Sequence, residues 1–342
     1  FGALLLDFEA PQARFNDRQF ALFTGISTQV TSAIEGALLA LDAAEASRLE
    51  QELHVAKEIQ LALLPDHPPY VAGWDIAGSG RPARIVGGDF YDFWTLSQRD
   101  DDRMKKDEKP EVASTVVAHV GSQLNAVLTA DPSAASASSS NLQPSSFRLG
   151  FVVADVSDKG VSAAMFMTMS RSLVRAAALD GSAPALALER ANRWITRDSE
   201  SGMFVTLFYG VLDPDDGTLR YSCAGHNPPL LYRAADASFV ALHTPGIAMG
   251  VIEEVTLSQS QTVLEPGDVL VCYTDGVTEA INATEEQFGV DRLRAVITHE
   301  HGQSAQRILN AIYEAVDRFT SGQPPFDDIT LVVLRRDEQG AD

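Results

Sequence analysis

Apolar residues recur every three or four positions at Phe20, Phe23, Ile26, Val30, Ile34, Leu38 and Leu41, which predicts a helix starting near Asp17. The period resumes less cleanly at Leu49, Leu53, Ala56, Gln60 and Leu63, in a different register. Alanines and charges from Asp42 to Arg48 separate the two stripes, and Pro65, Pro68 and Pro69 end the helix. So long a stretch with a shifted stripe reads as a coiled-coil connector with a stutter, with an amphipathic helix packed on its own domain as the alternative. The helix is preceded by an apolar, strand-like run, Phe1–Phe8.

After Gly73 short strands dominate. Strands are predicted at Trp74–Ala77, Ile85–Trp94, Arg148–Val156, Met203–Leu212, Leu219–Ala224, Leu230–Arg233, Glu254–Val263, Asp268–Tyr273 and Ile329–Arg335. Helices are predicted at Val161–Leu179, Ala185–Asp198, Val290–Thr298 and Ser304–Thr320. Met165, Met167 and Met169 on the first of these read as core filler. Many antiparallel strands with paired helices predict an α+β fold, in which two packed, mainly antiparallel β-sheets are flanked by helices and preceded by the long helical connector. A charge run and a Ser/Ala tract bound residues 97–146, which reads as a flexible insertion between two sheet strands.

Composition narrows the function. Hydrophobic residues make up 45% of 342, enough for a sizeable core. A formal net charge of −21 disfavours nucleic acid or an anionic membrane as partner. No apolar run approaches the ~20 residues of a membrane span. Cys223 and Cys272 lie far apart in apolar runs and read as buried thiols. The chain opens at Phe1 inside a strand-like run, so it is expected to be a fragment of a longer protein.

Four segments place an aspartate beside an apolar run: IVGGD at Asp89, VVADVS at Asp155, VCYTDG at Asp275, and FDDIT at Asp327 and Asp328. Each has a plain structural reading: a glycine bulge before Asp89, helix capping by Ser157 or Asp158 after Asp155, a turn at Asp275-Gly276. Together they suggest carboxylates converging from strand ends on one cleft. Converging carboxylates repel unless a cation neutralises them, which points to hard divalent metals. Gly78-Ser-Gly80-Arg-Pro-Ala83 has the outline of a dinucleotide loop, but Pro82 and a strand-like run follow where a helix is required. No P-loop is present.

The order IQLALLP, VGGDFYDFW, ADVSDKGVSAAM, FVTLFYGVLDPDDGTLRYSCAGHNPPLL, LEPGDVLVCYTDGVTEA and FDDITLVVL resembles the SpoIIE/RsbU branch of the metal-dependent protein serine/threonine phosphatases, the PPM or type 2C family. The resemblance assigns residues 66–336 to the phosphatase domain, 42–65 to the helical linker and 337–342 to a tail. Residues 1–41 are similar to the C-terminal end of a GAF sensor domain. It implies that Asp89, Asp155 and Asp275 ligate two Mn²⁺ or Mg²⁺ ions, with Asp155 bridging, the Val156 carbonyl as a further ligand and Asp327 chosen over Asp328. A metal-activated water would then attack phosphoserine or phosphothreonine. Lys159 and His226 are candidates for substrate binding. His226 could instead contact a third ion, or be a turn histidine between two strands. Asp158 stands where the family has glycine. The implied partner is a phosphorylated STAS-domain anti-anti-sigma factor in the cytoplasm, with control by an upstream sensor and homodimerisation through the linker. The rival reading is a catalytically silent module that docks such a partner.

Overall fold

Strand β3 (Phe147–Val156) shows how the domain is layered. Its odd-numbered residues Leu149, Phe151 and Val153 enter the core between two sheets, while Val152, Ala154 and Val156 face helices on the other side. A strand apolar on both faces requires a layer on each. The computed structural model describes residues 16–97, 147–198, 202–323 and 325–338. The chain divides into two units, Phe1–Ala62 and Leu63–Asp342. The strand-like run at 1–8 and the insertion, apart from Ser97, lie outside the described residues.

One sheet has the order β2-β3-β4-β5-β8, built from β2 (Phe90–Ser97), β3, β4 (Val205–Leu212), β5 (Thr218–Ala224) and β8 (Gln259–Val263). The other has the order β1-β10-β9-β6-β7, from β1 (Trp74–Arg81), β10 (Ile329–Arg336), β9 (Val269–Tyr273), β6 (Leu230–Arg233) and β7 (Ser238–Ala241). All strand pairs are antiparallel. Helices α2 (Val161–Ala178) and α3 (Pro184–Asp198) cover the first sheet. A four-residue helix, α4 (Asp275–Thr278), follows β9; α5 (Gly289–Glu300) and α6 (Ala305–Thr320) cover the second sheet. The α-β-β-α arrangement matches the two-sheet expectation.

Helix α1 (Asp17–Leu63) is continuous over 47 residues, so the shift in its apolar stripe does not break the backbone. Its first turn is closed reciprocally: the Gln19 amide donates to Asn16 Oδ1, and the Asn16 amide to Gln19 Oε1. Phe20, Ile26, Ile34, Leu38, Leu41, Leu49, Val55 and Ile59 are exposed along it.

Four local expectations need correction. Met165 stands exposed on α2 and is not core filler, unlike Met167 and Met169. Residues 85–89 are not strand, because the Asp328 carboxylate takes the amides of Ala83 and Gly88 that a ladder would use. The strand expected from Glu254 begins only at Gln259. Ser157 and Asp158 do not cap α2: Gly160, at φ 92°, takes the cap position, Ser157 exchanges hydrogen bonds with the Phe204 backbone, and Asp158 accepts from the Lys159 amide.

Candidate metal centre and active site

Each acidic residue owes its place to a strand end. Asp89 precedes β2, Asp155 is the penultimate residue of β3, Asp275 opens α4 just past β9, and Asp327 and Asp328 precede β10. Glycine allows the close approach. A Cβ on Gly87 would meet the Asp328 carboxylate, and one on Gly88 would lie 3.1 Å from the Val156 carbonyl oxygen. Gly276 packs on the Asp328 carbonyl with no room for a side chain. The Val156 carbonyl is thus beside the chain leading to Asp89.

Asp89 and Asp155 lie side by side and each acts on the other's protonation. Burial raises the Asp89 pKa well above the usual carboxylate range, and the charges of Asp155 and Asp328 add to it. Burial, then Asp275, Asp327 and Asp328, push Asp155 up to about 7. Asp275 is raised by burial, by Glu279 and by Asp327, against an opposing contribution from Lys159. These mutual effects make Asp89, Asp155, Asp275 and Asp327 electrostatic neighbours. Among the described residues no three acidic, His or Cys side chains already close on a single point, so the carboxylates do not form a finished cage.

The neighbours sort the two last aspartates. Asp328 is spent on the backbone: its carboxylate accepts from Ala83 N at 2.6 Å and Gly88 N at 2.7 Å. Asp327 keeps an exposed edge and pairs with Lys159 Nζ at 2.9 Å. Lys159 also donates to the Phe326 carbonyl at 2.8 Å and lies over the Phe326 ring. Thr274, which sequence reasoning missed, donates its hydroxyl to Asp89 Oδ2 at 2.7 Å and accepts from Thr330 N, tying Asp89 to the β9–β10 ladder. No motif signals it beyond its position next to Asp275. Next to Asp327 and Lys159 opens a cleft of about 830 Å³, lined also by Arg81, Arg84, Ile281 and Phe326.

The structure does not bring His226 to this cleft. Its side chain is buried, its Nδ1 is 3.0 Å from Thr206 Oγ1, and burial lowers its pKa to about 4. Thr206 Oγ1 in turn reaches the Asp155 carbonyl at 3.4 Å. The enclosed imidazole sits behind Asp155 through Thr206, so the structure places His226 away from the residues that line the cleft.

Residues 145–337 match the family model described as Stage II sporulation protein E (SpoIIE). Protein IcfG of Synechocystis sp. is 30% identical over 312 residues, covering 83% of this chain and 41% of that protein. Phosphoserine phosphatase RsbU of Bacillus subtilis is 27% identical over 290 residues, covering 84% of this chain and 71% of that protein. The chain therefore spans less than half of the first relative and most of the second. The solved SiaA-PP2C domain of Pseudomonas aeruginosa shares the fold, with a TM-score of 0.62 at 18% identity, over 86% of this chain and 100% of that one. The family match covers more than half of the chain and includes three of the four converging aspartates, and the chain belongs to the SpoIIE family.

Proposed function

We propose that this chain is a Mn²⁺- or Mg²⁺-dependent protein serine/threonine phosphatase. The observation that carries the reading is the meeting of Asp89, Asp155, Asp275 and Asp327, from four separate segments, beside a cleft with three cationic side chains. An all-oxygen donor set suits octahedral Mg²⁺ or Mn²⁺ and not tetrahedral zinc. Asp89, Asp155, the Val156 carbonyl, Asp275 and Asp327 would hold two ions, Asp155 serving both. When bound, such ions acidify water and neutralise charge on phosphoryl oxygens.

The chain's own residues supply the rest. The Thr274 hydroxyl fixes one oxygen of Asp89, and the other would serve an ion. Asp328 holds the backbone around Gly88 and so the aim of Asp89. Arg84, exposed at the cleft, and Lys159, tethered beside Asp327, attract the dianionic phosphate. Water attacks phosphorus, the ester P–O bond breaks, and the departing serine oxygen takes a proton; the products are serine and inorganic phosphate. No protein side chain becomes phosphorylated, and Cys223 and Cys272 are buried free thiols away from the chemistry.

The same reading names a phosphorylated STAS-domain anti-anti-sigma factor as substrate, an upstream sensor as controller, and a homodimer through α1. The relative named phosphoserine phosphatase RsbU, most of whose length is matched, supports the chemistry, and the exposed apolar residues of α1 support the dimer. Among the described residues no helix is long and apolar enough to cross a membrane. The test is phosphate release from a phosphoserine protein. Release with Mn²⁺, its loss on adding EDTA and its return with excess Mn²⁺ are expected. No Mn²⁺-dependent release from folded protein, over several phosphoprotein substrates, would favour the silent docking module.

A further inference from the structure

Strand β2 carries an aspartate, three residues beyond Asp89, that the chemistry above does not use. Asp92 lies on the helix-facing row of β2 between Phe90 and Trp94, both buried in the core under α2 and α3. Its side chain is 1% exposed. A carboxylate in such a place is costly unless paired. It receives Arg171 Nη2 at 2.8 Å and Arg175 Nη1 at 3.0 and 3.2 Å, and its Oδ1 also accepts from Phe93 N. Both arginines stand on α2, four residues apart and so on one face. The side chain of Arg171 is only 12% exposed, and among the described residues it pairs with no other carboxylate.

This pairing closes a loop around the site. From Asp92 the chain runs back three residues to Asp89. From Arg171 it runs back along α2 to Val161, then through residues 156–160 to Asp155. Apart from Ser170, the rest of the buried face of α2 is apolar: Ala163, Phe166, Met167, Val174, Ala177 and Ala178 pack on the core. Such contacts are non-directional, and methionine repacks readily. A buried carboxylate between two guanidinium groups accepts one register only, and setting register is the best-attested use of buried charge.

We propose that Asp92, Arg171 and Arg175 are positioning residues: they fix the register of α2 on β2, and through it the separation of Asp89 and Asp155. The consequence for metal binding rests on the phosphatase reading; the mechanical link does not.

Two variants test it. Asp92→Asn leaves the arginines uncompensated. The triple variant Asp92→Leu/Arg171→Met/Arg175→Met replaces all three charges with apolar groups and keeps the interface filled, a kind of exchange that buried ion triads tolerate. Amide hydrogen exchange over residues 157–165 reads the mechanical link, and Mn²⁺ titration calorimetry reads the site. The triple variant is expected to melt within a few degrees of wild type, to exchange about tenfold faster over 157–165, and to bind Mn²⁺ about 10–100-fold more weakly. Excess Mn²⁺ should restore kcat, with KM for the phosphoprotein little changed. Asp92→Asn should show the same changes, with a lower melting temperature as well. Wild-type exchange over 157–165 in the folded triple variant overturns the proposal, because apolar packing alone would then set the register. A triple variant that does not fold overturns it too, because the charges would then hold the fold itself. Faster exchange in a protein whose wild type takes up no Mn²⁺ would leave the link standing and remove the metal reading.

Discussion

Strand β9 has an aspartate just beyond each end, and the two are treated in opposite ways. At its start Asp268, 1% exposed, is fully answered: Arg233 Nη1 lies at 2.7 Å, and the amides of Ala234 and Glu265 donate at 3.0 and 2.9 Å. At its far end Asp275 faces Glu279, Asp327 and Asp155, and its pKa is raised. The same strand thus links a closed polar network to an open acidic one. A buried carboxylate with a cation and two amides stabilises a turn. A cluster of carboxylates that raise one another's pKa works against folding, and it persists where a ligand repays the cost. The uncompensated end is therefore where chemistry is expected, and the compensated end is where it is not.

The sharpest way to break this comparison is to neutralise one aspartate from each of the two networks. Asp155→Asn should lower Mn²⁺-dependent phosphate release by on the order of 10³-fold or more while leaving the metal-free fold as stable as wild type or more so, since a repelling charge is gone. Asp268→Ala should do the reverse. It leaves the Arg233 charge without its partner and should cost about 3–5 kcal/mol in chemical denaturation, with activity per folded molecule retained. Equal losses of activity in both variants would erase the distinction.

A smaller effect separates the adjacent pair Asp327 and Asp328. Asp327→Asn should weaken Mn²⁺ binding and lower activity at limiting Mn²⁺. Asp328→Asn keeps one acceptor oxygen, enough for Ala83 N or Gly88 N but not for both, so it should mainly lower the melting temperature and spare activity by comparison. An inactive Asp328→Asn beside an active Asp327→Asn would show that the ligand is Asp328.

The four converging aspartates were legible because each lies at the end of an apolar run, and strand ends are what a sandwich brings to its edge. The two sheets were legible for the same reason, since strands such as β3 are apolar on both faces. What stayed hidden depends on partners far away in sequence. The amides of Ala83 and Gly88 look free for a strand until Asp328, some 240 residues on, takes them. Asp92 reads as one more acid in FYDFW until α2 brings two arginines to it. His226 sits in a turn-like AGHNP segment, and only the packing around Thr206 shows that it is enclosed. Strand β7 went unread because its four residues are mostly exposed and too few to show a period. The Asp275-Gly276 pair, which also reads as a plain turn, starts a four-residue helix held close under Asp328.

The most direct test of the central claim is the melting temperature of metal-free protein against pH, with and without Mn²⁺. In the folded state the Asp155 pKa stands near 7, above its ordinary value of 3.8. Its protonated form is thus the stabilising one: the contribution is complete below about pH 4 and is lost as pH rises through about 7. Metal-free wild type should lose stability between about pH 4 and 7 relative to Asp155→Asn. Mn²⁺ competes with the same proton, so its stabilising shift should grow across that window and be small in the variant. A Mn²⁺ shift that is absent, or that is as large in Asp155→Asn as in wild type, would contradict the assignment of these carboxylates to a metal.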